Sequence, residues 1–401
     1  MDEVEFSSLG LDDSIVASLA SRGITHPFPI QAAAIPDALA GKDICGKAKT
    51  GSGKTFAFGL PSIQLVDASL KAVQVIVLVP TRELCSQVAG ELEFFAGEMG
   101  VGIVQVYGGV SMGAQINALE AGAQIVVATP GRLIDLSDRG AMKYEHVKLF
   151  VLDEADQMVD MGFMPQVEYV WRQVPEPHQS FLFSATLDGV VDRLAKRRLN
   201  DPMFYSVVDD EETMVDTMDH RFLLVHFRDK TKVVKRVSAS VDRTLVFTHT
   251  KRQCDRVAEA LSDEGVNAAA IHGDLPQVKR ERVLEQFSRG KLDVLVATNV
   301  AARGIHIDDI GIVVHYDPPQ DGKEFLHRSG RTARAGSKGL VVTLVEWDQQ
   351  LKVLNLMKEA GFDHEIVQMF SNDERLDDLH AWEPPRQKKL DLPPKGRRGR
   401  R

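Results

Sequence analysis

The sequence predicts an α/β protein with two tandem domains, each a mainly parallel β-sheet with helices on both faces. Short apolar runs alternate with longer helical patterns through two successive stretches of the chain, and this alternation is typical of parallel sheets. The length of 401 residues is also large for a single hydrophobic core. An acidic run at residues 209–212, Asp-Asp-Glu-Glu, interrupts the alternation between the two stretches.

The domain boundaries follow from these changes of pattern. We expect an N-terminal domain over residues 1–207, an acidic linker over 208–219, a C-terminal domain over 220–370 and a basic, disordered tail over 371–401. A solvated loop is the simpler alternative for the acidic run. The expected strands are 43–47, 74–79, 103–106, 124–128, 147–152 and 181–183 in the first domain, and 222–227, 244–247, 268–271, 294–297, 312–315 and 340–345 in the second.

The composition is that of an ordinary globular protein, with 44% apolar and 26% charged residues. No apolar run approaches the roughly 20 residues that cross a bilayer, and the acidic N-terminus has no signal-peptide pattern. The three cysteines, Cys45, Cys85 and Cys254, are widely spaced and odd in number. We therefore expect a cytoplasmic protein in a reducing compartment, with neither a disulfide framework nor a zinc site and with no membrane partner.

The net charge of −9 is unevenly distributed along the chain. The last 18 residues, 384–401, contain eight Lys or Arg and one Asp, a balance of +7, so the preceding 383 residues carry −16. A nucleic-acid contact in the body of the protein must therefore use local basic clusters or backbone groups.

The first site motif is the glycine-containing stretch at residues 48–55, which follows an expected strand and precedes an expected helix. Gly51 and Gly53 allow backbone amides to approach phosphate oxygens, and the helix N-terminus favours an anion. Lys54 can reach the outer phosphates, and Thr55 offers a hydroxyl to Mg²⁺. Ala48 stands where the general pattern has glycine. The alternative is a glycine-rich turn with an incidental lysine.

The second site motif is the acidic stretch that begins directly after the expected strand at 147–152. Asp153 is the natural partner of a hydrated Mg²⁺, and Glu154 is our candidate for the general base that orients the attacking water. Acidic residues are also common at helix N-termini, which is the alternative. That alternative explains neither the preceding apolar strand nor the phosphate loop upstream.

The letters Asp-Glu-Ala-Asp at residues 153–156, behind such a loop, resemble the bacterial DEAD-box ATP-dependent RNA helicases of superfamily 2. The resemblance covers residues 6–345 and implies two tandem RecA-like domains and RNA-stimulated hydrolysis of ATP with Mg²⁺. It also implies local separation or remodelling of RNA rather than long translocation. The matching motifs are Pro29-Ile30-Gln31, Pro80-Thr81-Arg82-Glu83-Leu84, Gly108-Gly109, Thr129-Pro130-Gly131-Arg132, Ser184-Ala185-Thr186, residues 296–308 and residues 327–336.

The resemblance implies how the nucleotide is recognised. Phe6 lies 17 residues before Gly23, as an aromatic does in the family, and is expected to stack on adenine while Gln31 reads its edge. The loop departs from the family pattern in having Ile24 for an aromatic and Phe28 for a threonine. The expected ATP-binding residues are Phe6, Gln31, Ala48, Lys49, Thr50, Gly51, Ser52, Gly53, Lys54 and Thr55, with Thr55 and Asp153 holding the metal.

The resemblance also assigns a catalytic set and a coupling set. Hydrolysis usually needs a cation on the developing γ-phosphate charge. Arg331 and Arg334 share a face of one helical turn and resemble the arginine fingers of the family, which domain closure delivers. A solvated basic helix face is the alternative. The expected catalytic residues are Lys54, Asp153, Glu154, Arg331 and Arg334, and the expected coupling residues are Asp156, Ser184 and Thr186.

Further matches indicate sequence-independent contacts with the RNA backbone. Arg82 and Arg132 supply local charge, and Gln277 and Arg280 are one helical turn apart. The basic tail is expected to act either as an RNA tether or as a solubilising end. The expected RNA-binding residues are Pro80, Thr81, Arg82, Gly109, Thr129, Gly131, Arg132, Thr248, Gln277, Arg280, Thr298 and Gly304.

Two departures keep other functions open. Asn299 and His306 each stand where the family usually has aspartate, and His306 can lose charge near neutral pH. A non-catalytic RNA clamp is therefore one alternative, although the hydrolytic groups are present. A helicase or translocase acting on DNA is another, because backbone contacts alone do not distinguish the sugars. The sequence identifies no target RNA and no protein partner.

Overall fold

The computed structural model describes residues 4–48, 52–187, 189–207, 218–302, 310–332 and 339–386. Its residues form two compact units, with 4–207 in the first and 218–386 in the second. Residues 208–217 of the expected linker, residues 387–401 of the expected tail, and Lys49, Thr50, Gly51, Gly304, His306 and Arg334 lie outside the described residues.

Within the described ranges, no helix combines the length and the apolar character that crossing a bilayer requires.

The first unit is a seven-stranded, entirely parallel sheet with the strand order β3-β4-β2-β5-β6-β1-β7. Its strands are β1 (Ile44–Ala48), β2 (Val75–Leu78), β3 (Ile103–Val106), β4 (Ile125–Ala128), β5 (Leu149–Leu152), β6 (Gln179–Ser184) and β7 (Met203–Val207). Its helices are α1 (Asp13–Ser21), α2 (Pro29–Leu39), α3 (Lys54–Gln64), α4 (Arg82–Glu98), α5 (Met112–Glu120), α6 (Pro130–Asp138), α7 (Ala155–Asp160), α8 (Met164–Trp171) and α9 (Gly189–Arg198).

The second unit repeats this architecture with the strand order β10-β11-β9-β12-β13-β8-β14, again all parallel. Its strands are β8 (Met218–Leu224), β9 (Thr244–Thr248), β10 (Ala268–Ile271), β11 (Val294–Thr298), β12 (Ile312–His315), β13 (Gly339–Val345) and β14 (Ile366–Gln368). Its helices are α10 (Lys230–Ser238), α11 (Lys251–Asp263), α12 (Gln277–Ser288), α13 (Asn299–Ala302), α14 (Gly322–Ser329) and α15 (Gln350–Glu359).

Strand β2 shows why these apolar runs become central strands. All four of its residues are buried, and successive side chains point to opposite faces of the sheet. Val75 and Val77 belong to one hydrophobic cluster, whereas Ile76 and Leu78 belong to a second cluster on the other face. Helices therefore cover both faces, and the predicted fold class of two parallel sheets is confirmed.

Two strands were absent from the sequence prediction, and both are outermost strands. Met203–Val207 forms β7 and Ile366–Gln368 forms β14. Outermost strands have only one neighbour, so their sequences carry a weaker apolar signal than buried strands do. Phe204, for example, is 62% exposed.

The expected start of a disordered tail at residue 371 is wrong. Residues 374–377 form a short 3₁₀ helix, and Leu376 and Leu379 are buried in the core of the second unit. Asp377 also forms a salt bridge with Arg236 of α10. The segment is polar on average, but its two buried leucines and this salt bridge hold it against the second unit. The expected linker at 208–219 also extends two residues too far, because β8 begins at Met218.

Two buried histidines lie on either side of β13 in the second sheet. His220 of β8 and His315 of β12 both approach the ring of Phe325, with centroid separations of 5.5 and 5.1 Å. Burial lowers the pKa of His220 to about 3, aided by His364 and Arg221. Burial also lowers the pKa of His315 well below its usual value, aided by Arg328 and His220. Both rings are therefore neutral in the folded protein near pH 7.

We predict that the second unit loses stability as the pH falls below about 6.5. The unfolded histidines bind protons with an ordinary pKa, whereas the folded ones stay neutral until far lower pH. Each should remove up to about 1.4 kcal/mol of unfolding free energy per pH unit between pH 6 and the folded pKa. Hydrogen exchange of the β8 and β12 amides at pH 7.0, 6.0 and 5.5 measures this loss.

A His220→Leu variant provides the comparison, because carboxylates titrating at lower pH are common to both proteins. The variant should show a shallower decline than the parent. Equal slopes in the two proteins would contradict the prediction.

Candidate active site

The site residues of the first unit follow the carboxyl ends of three neighbouring strands. In the order β5-β6-β1, the central strand β6 ends at Ser184, β5 is followed by Asp153, and β1 ends at Ala48. Parallel strands place all their carboxyl ends on one edge, which is where sites form in open α/β sheets. The topology therefore gathers residues that are about 100 positions apart in the chain.

Lys54, Asp153 and Glu154 form a buried cluster at this edge. The Nζ atom of Lys54 donates to Oε1 of Glu154 at 2.7 Å and lies 3.7 Å from Oδ1 of Asp153. The three residues are only 3–5% exposed. The structure thus pairs Lys54 with two carboxylates. The sequence predicted that Lys54 contacts phosphate, that Asp153 holds the metal and that Glu154 is the general base.

The charges of Lys54 and Asp153 are balanced to different extents in this cluster. Burial by itself would lower the pKa of Lys54, but the carboxylates of Glu154 and Asp153 outweigh burial, and the pKa lies above its usual value. Burial raises the pKa of Asp153, and the more distant Lys54 only partly opposes that rise. Asp153 is therefore a buried acid whose negative charge is incompletely balanced.

Glu154 is held in an unusual backbone conformation. Its φ and ψ of 53° and 50° lie in the left-handed region, which residues other than glycine rarely adopt. Its Oε2 accepts a hydrogen bond from Nε2 of Gln157 at 2.9 Å, while Lys54 binds the other oxygen. Sequence reasoning missed Gln157, although its position one turn into α7 was a usable signal.

The expected coupling residues are in contact. The backbone amide of Asp156 donates to Oγ of Ser184 at 3.1 Å, and the amide of Thr186 donates to Oδ2 of Asp156 at 3.2 Å. The hydroxyl of Thr186 makes a longer bond to the same oxygen, at 3.4 Å. The end of β6 is thereby tied to the start of α7.

Gln31 is hydrogen-bonded to Gly53 of the predicted phosphate loop. Its Nε2 donates to the carbonyl of Gly53 at 2.9 Å, and its Oε1 accepts from the amide of Phe28 at 2.8 Å. Gly53 has a φ of 85°, and a Cβ there would lie 2.4 Å from Nε2 of Gln31. Each end of the amide keeps one further hydrogen-bonding position, so reading an adenine edge stays compatible with these contacts.

Phe6 lies in the interior of the first unit. Its ring is 1% exposed and belongs to a hydrophobic core cluster. Its expected stacking on adenine stays a prediction, and it requires the nucleotide to reach a ring that is buried in this structure. Phe28 is 57% exposed and adjoins Gly53, and it was regarded only as a departure.

A basic surface lies at the carboxyl ends of β3, β4 and β2, which are neighbours in the sheet. A Cβ on Gly109 would be 2.3 Å from Arg82, and one on Gly108 would be 3.4 Å from Arg82 and 3.9 Å from Arg132. Arg132 also donates to Oε1 of Gln115 at 3.2 Å. Two guanidinium groups thus converge over a pair of glycines, with Gln115 as a support that the sequence did not reveal.

The remaining predicted RNA residues of this unit lie at helix starts on the same edge. Thr81 caps α4 by accepting from the amide of Leu84 at 3.2 Å. Thr129 precedes α6 without a side-chain capping bond, so its hydroxyl is not used there. Pro80 and Gly131 flank these positions.

In the second unit, the predicted RNA residues follow β10, β11 and β9, which are again neighbours. Thr248 and Thr298 end β9 and β11, and both are buried. Gln277 and Arg280 lie on the first turn of α12, with exposures of 4% and 7%. The structure therefore places all four at one edge of the sheet.

Two family profiles match the chain. The profile of the DEAD/DEAH box helicases matches residues 28–194, and that of the helicase conserved C-terminal domain matches residues 229–336. The chain is 42% identical over 358 residues to the ATP-dependent RNA helicase CshA of Listeria monocytogenes, covering 89% of this chain and 68% of the relative. This chain belongs to the DEAD-box ATP-dependent RNA helicases. The predicted family and enzyme class are confirmed.

Other similarities agree with the helicase assignment. DEAD-box ATP-dependent RNA helicase CshA of Bacillus cereus is 44% identical over 342 residues, covering 85% of this chain and 65% of the relative. The chain thus spans about two thirds of the length of these relatives. The structure of S. cerevisiae Dbp5 bound to RNA and ADP BeF3 is similar with a TM-score of 0.80 at 30% identity, covering 92% of this chain and 96% of Dbp5. The roles of individual site residues in this helicase stay predictions.

We predict that Gly53→Ala weakens ATP binding to this helicase at least tenfold. The substitution forces a side chain into left-handed backbone and against Gln31, so the loop must shift. Fluorescent-nucleotide titration measures the affinity. Gly90→Ala is the matched control, since an added Cβ there meets nothing within 4 Å. Equal ATP affinities in the two variants would contradict the prediction.

Proposed function

We propose that this helicase hydrolyses ATP in response to RNA and couples hydrolysis to closure of its two units and to local RNA unwinding or remodelling. One observation carries the proposal. The buried cluster of Lys54, Asp153 and Glu154 and the basic surface of Arg82 and Arg132 lie along one edge of the same sheet. A nucleotide and an RNA strand can therefore act on the same sheet edge.

Mg²⁺ fits the residues at this site. Asp153 is a buried carboxylate with incompletely balanced charge, and a divalent cation is the partner that such a group lacks. No group of three or more His, Cys, Asp or Glu side chains that could hold a metal occurs among the described residues. Mg²⁺ typically binds one or two protein oxygens and completes its shell with water and phosphate oxygens. We assign Asp153 and Thr55 to it, and it neutralises phosphate charge when bound.

Lys54 changes partners in the proposed mechanism. In this structure its ammonium binds Glu154, and the triphosphate offers it a stronger concentration of negative charge. When Lys54 turns to the phosphates, Oε1 of Glu154 is released to accept a proton from the attacking water. Gln157 keeps its bond to the other oxygen and so holds the carboxylate in place. Lys54 therefore occupies Oε1 of Glu154 until the nucleotide binds.

The second unit supplies the cations of the proposed transition state. A metaphosphate-like transition state spreads charge over three oxygens, and arginine side chains stabilise that charge. We assign this role to Arg331 and Arg334, brought to the γ-phosphate when RNA and ATP favour the closed state. Each ligand then strengthens the binding of the other, because both favour one conformation.

RNA is proposed to bind through its phosphates and 2′-hydroxyls with little base reading. The contact residues are those gathered at the carboxyl edges of the two sheets, and the cytoplasm is the proposed compartment. A DNA-directed translocase and a non-catalytic clamp are separated from this proposal by the experiments below.

We predict that single-stranded RNA strongly stimulates steady-state ATP hydrolysis and that Glu154→Gln abolishes the stimulation. Loss of a general base typically costs about 10²–10⁴-fold in rate. A coupled phosphate-release assay with RNA, and with DNA of the same sequence, measures the effect. Glu120→Gln on the exposed end of α5 is the control for the same chemical change.

The three functions give different results in this assay. Equal stimulation by DNA would indicate the translocase. Binding of ATP without stimulated hydrolysis in the parent protein would indicate the clamp. Either result would overturn the proposal.

We predict that Arg132→Gln lowers the affinity for single-stranded RNA and its dependence on salt. Removing one phosphate contact should reduce the slope of log affinity against log salt by about 0.7. Fluorescence anisotropy at several salt concentrations measures both quantities. Arg139→Gln, at an exposed position on the end of the same helix, is the control. An unchanged slope in Arg132→Gln would remove this arginine from the interface.

A further inference from the structure

A buried polar network joins α13 to α14 in the second unit. The Nε atom of Arg328 donates to Oδ1 of Asn299 at 2.6 Å, and its Nη2 donates to Oε1 of Glu324 at 2.5 Å. The Nδ2 atom of Asn299 donates to that same carboxylate oxygen. The side chain of Arg328 is 2% exposed and that of Glu324 is 14% exposed. The three side chains therefore form a closed triangle of hydrogen bonds.

Backbone groups fix the network on two sides. The Nη1 atom of Arg328 donates to the carbonyl of Asp317, just beyond β12, at 2.8 Å. The other carboxylate oxygen of Glu324 accepts from the amide of Gln320 at 2.7 Å. Both oxygens of Glu324 are thus used, and each holds a different part of the same region. A buried network with several mutual hydrogen bonds favours one arrangement of its elements.

The network lies between two groups that the proposed function needs. Asn299 directly follows Thr298, the predicted RNA contact at the end of β11. Arg328 lies one helical turn before Arg331, whose amide donates to the carbonyl of Arg328 at 3.3 Å. The triangle thus links the residue that follows Thr298 to the helical turn that precedes Arg331.

The network also accounts for a departure noted in the sequence. Proteins that this chain resembles usually have aspartate where it has Asn299, and a neutral amide cannot balance the buried guanidinium of Arg328. Burial would raise the pKa of Glu324, but Arg328 and the hydrogen bonds from Gln320 and Asn299 lower it below its usual value. Glu324 is therefore ionised near pH 7 and supplies the negative charge that residue 299 lacks.

We propose that Glu324 is a positioning residue that replaces the missing carboxylate at position 299 and holds Arg328, so that Thr298 and Arg331 keep a fixed relation. The proposal rests on the proposed function, in which RNA binds near Thr298 and Arg331 serves the γ-phosphate. In this structure the negative charge beside Arg328 comes from position 324, and position 299 contributes a neutral amide.

The experiment exchanges the charge between the two positions. Glu324→Gln, Asn299→Asp and the double variant Asn299→Asp/Glu324→Gln are compared with the parent for kcat and KM in RNA-stimulated ATP hydrolysis. Glu324→Gln should lower the RNA-stimulated kcat about tenfold while the KM for ATP changes less than twofold. The double variant should recover to within about threefold of the parent, since one carboxylate again faces Arg328.

The single variant Asn299→Asp adds a pH readout. It places two carboxylates against one guanidinium, and like charges at close range raise the pKa of one acid. Its stimulated rate should therefore depend on pH between 5.5 and 7.5 more steeply than that of the double variant. Glu264→Gln, which removes the carboxylate from an exposed pair with Lys235, is the control for the loss of an ion pair in this unit.

The outcomes separate this proposal from the proposed function. Thermal unfolding of all variants shows whether a low rate reflects a smaller folded fraction. A folded Glu324→Gln protein with the parental stimulated kcat, or a folded double variant no better than Glu324→Gln, would overturn the proposal. A parent protein without RNA stimulation would instead overturn the proposed function, and recovery of the unfolding midpoint in the double variant would still support the charge exchange.

Discussion

The first unit depends on burying one lysine between two acids at the end of a parallel sheet. A buried charge is strongly unfavourable unless it is paired, and Lys54 meets this requirement with Glu154 at 2.7 Å. The pairing leaves Asp153 at 3.7 Å with a charge that is only partly balanced. The proposed function uses this imbalance, because it gives Lys54 a phosphate partner and Asp153 a metal partner.

The second unit meets the same constraint in another way. Its buried guanidinium, Arg328, donates to a carboxylate, an amide oxygen and a backbone carbonyl, one bond from each of its three nitrogens. In the proposed mechanism the first cluster exchanges its partners, whereas the three side chains of the second are bonded to one another. This difference suits a nucleotide-binding group in one unit and a rigid support for an arginine in the other.

Much of this architecture could be predicted from local sequence, because buried parallel strands are nearly continuous apolar runs. The run at 147–152 gave both a strand and the acids that follow it, and the glycine-containing loop gave the helix start at Lys54. The same reasoning is weaker where burial contradicts residue type. Phe6 was expected at the nucleotide but its ring lies in the core, and the polar residues after 371 were expected to form a tail but include two buried leucines.

The sequence by itself determined the fold class, the family resemblance and the residues that meet at each sheet edge, because motif order and strand periodicity are local properties. Only the tertiary structure decided which side chains support them. Gln157 behind Glu154, Gln115 behind Arg132 and Glu324 behind Arg328 are recognised by distance alone. The spacings of Gln157 and Glu324 from their partners are compatible with one helical turn, but such spacings are common and do not single out a bond. Gln115 and Arg132 lie on separate helices, so only the packing of those helices brings them together.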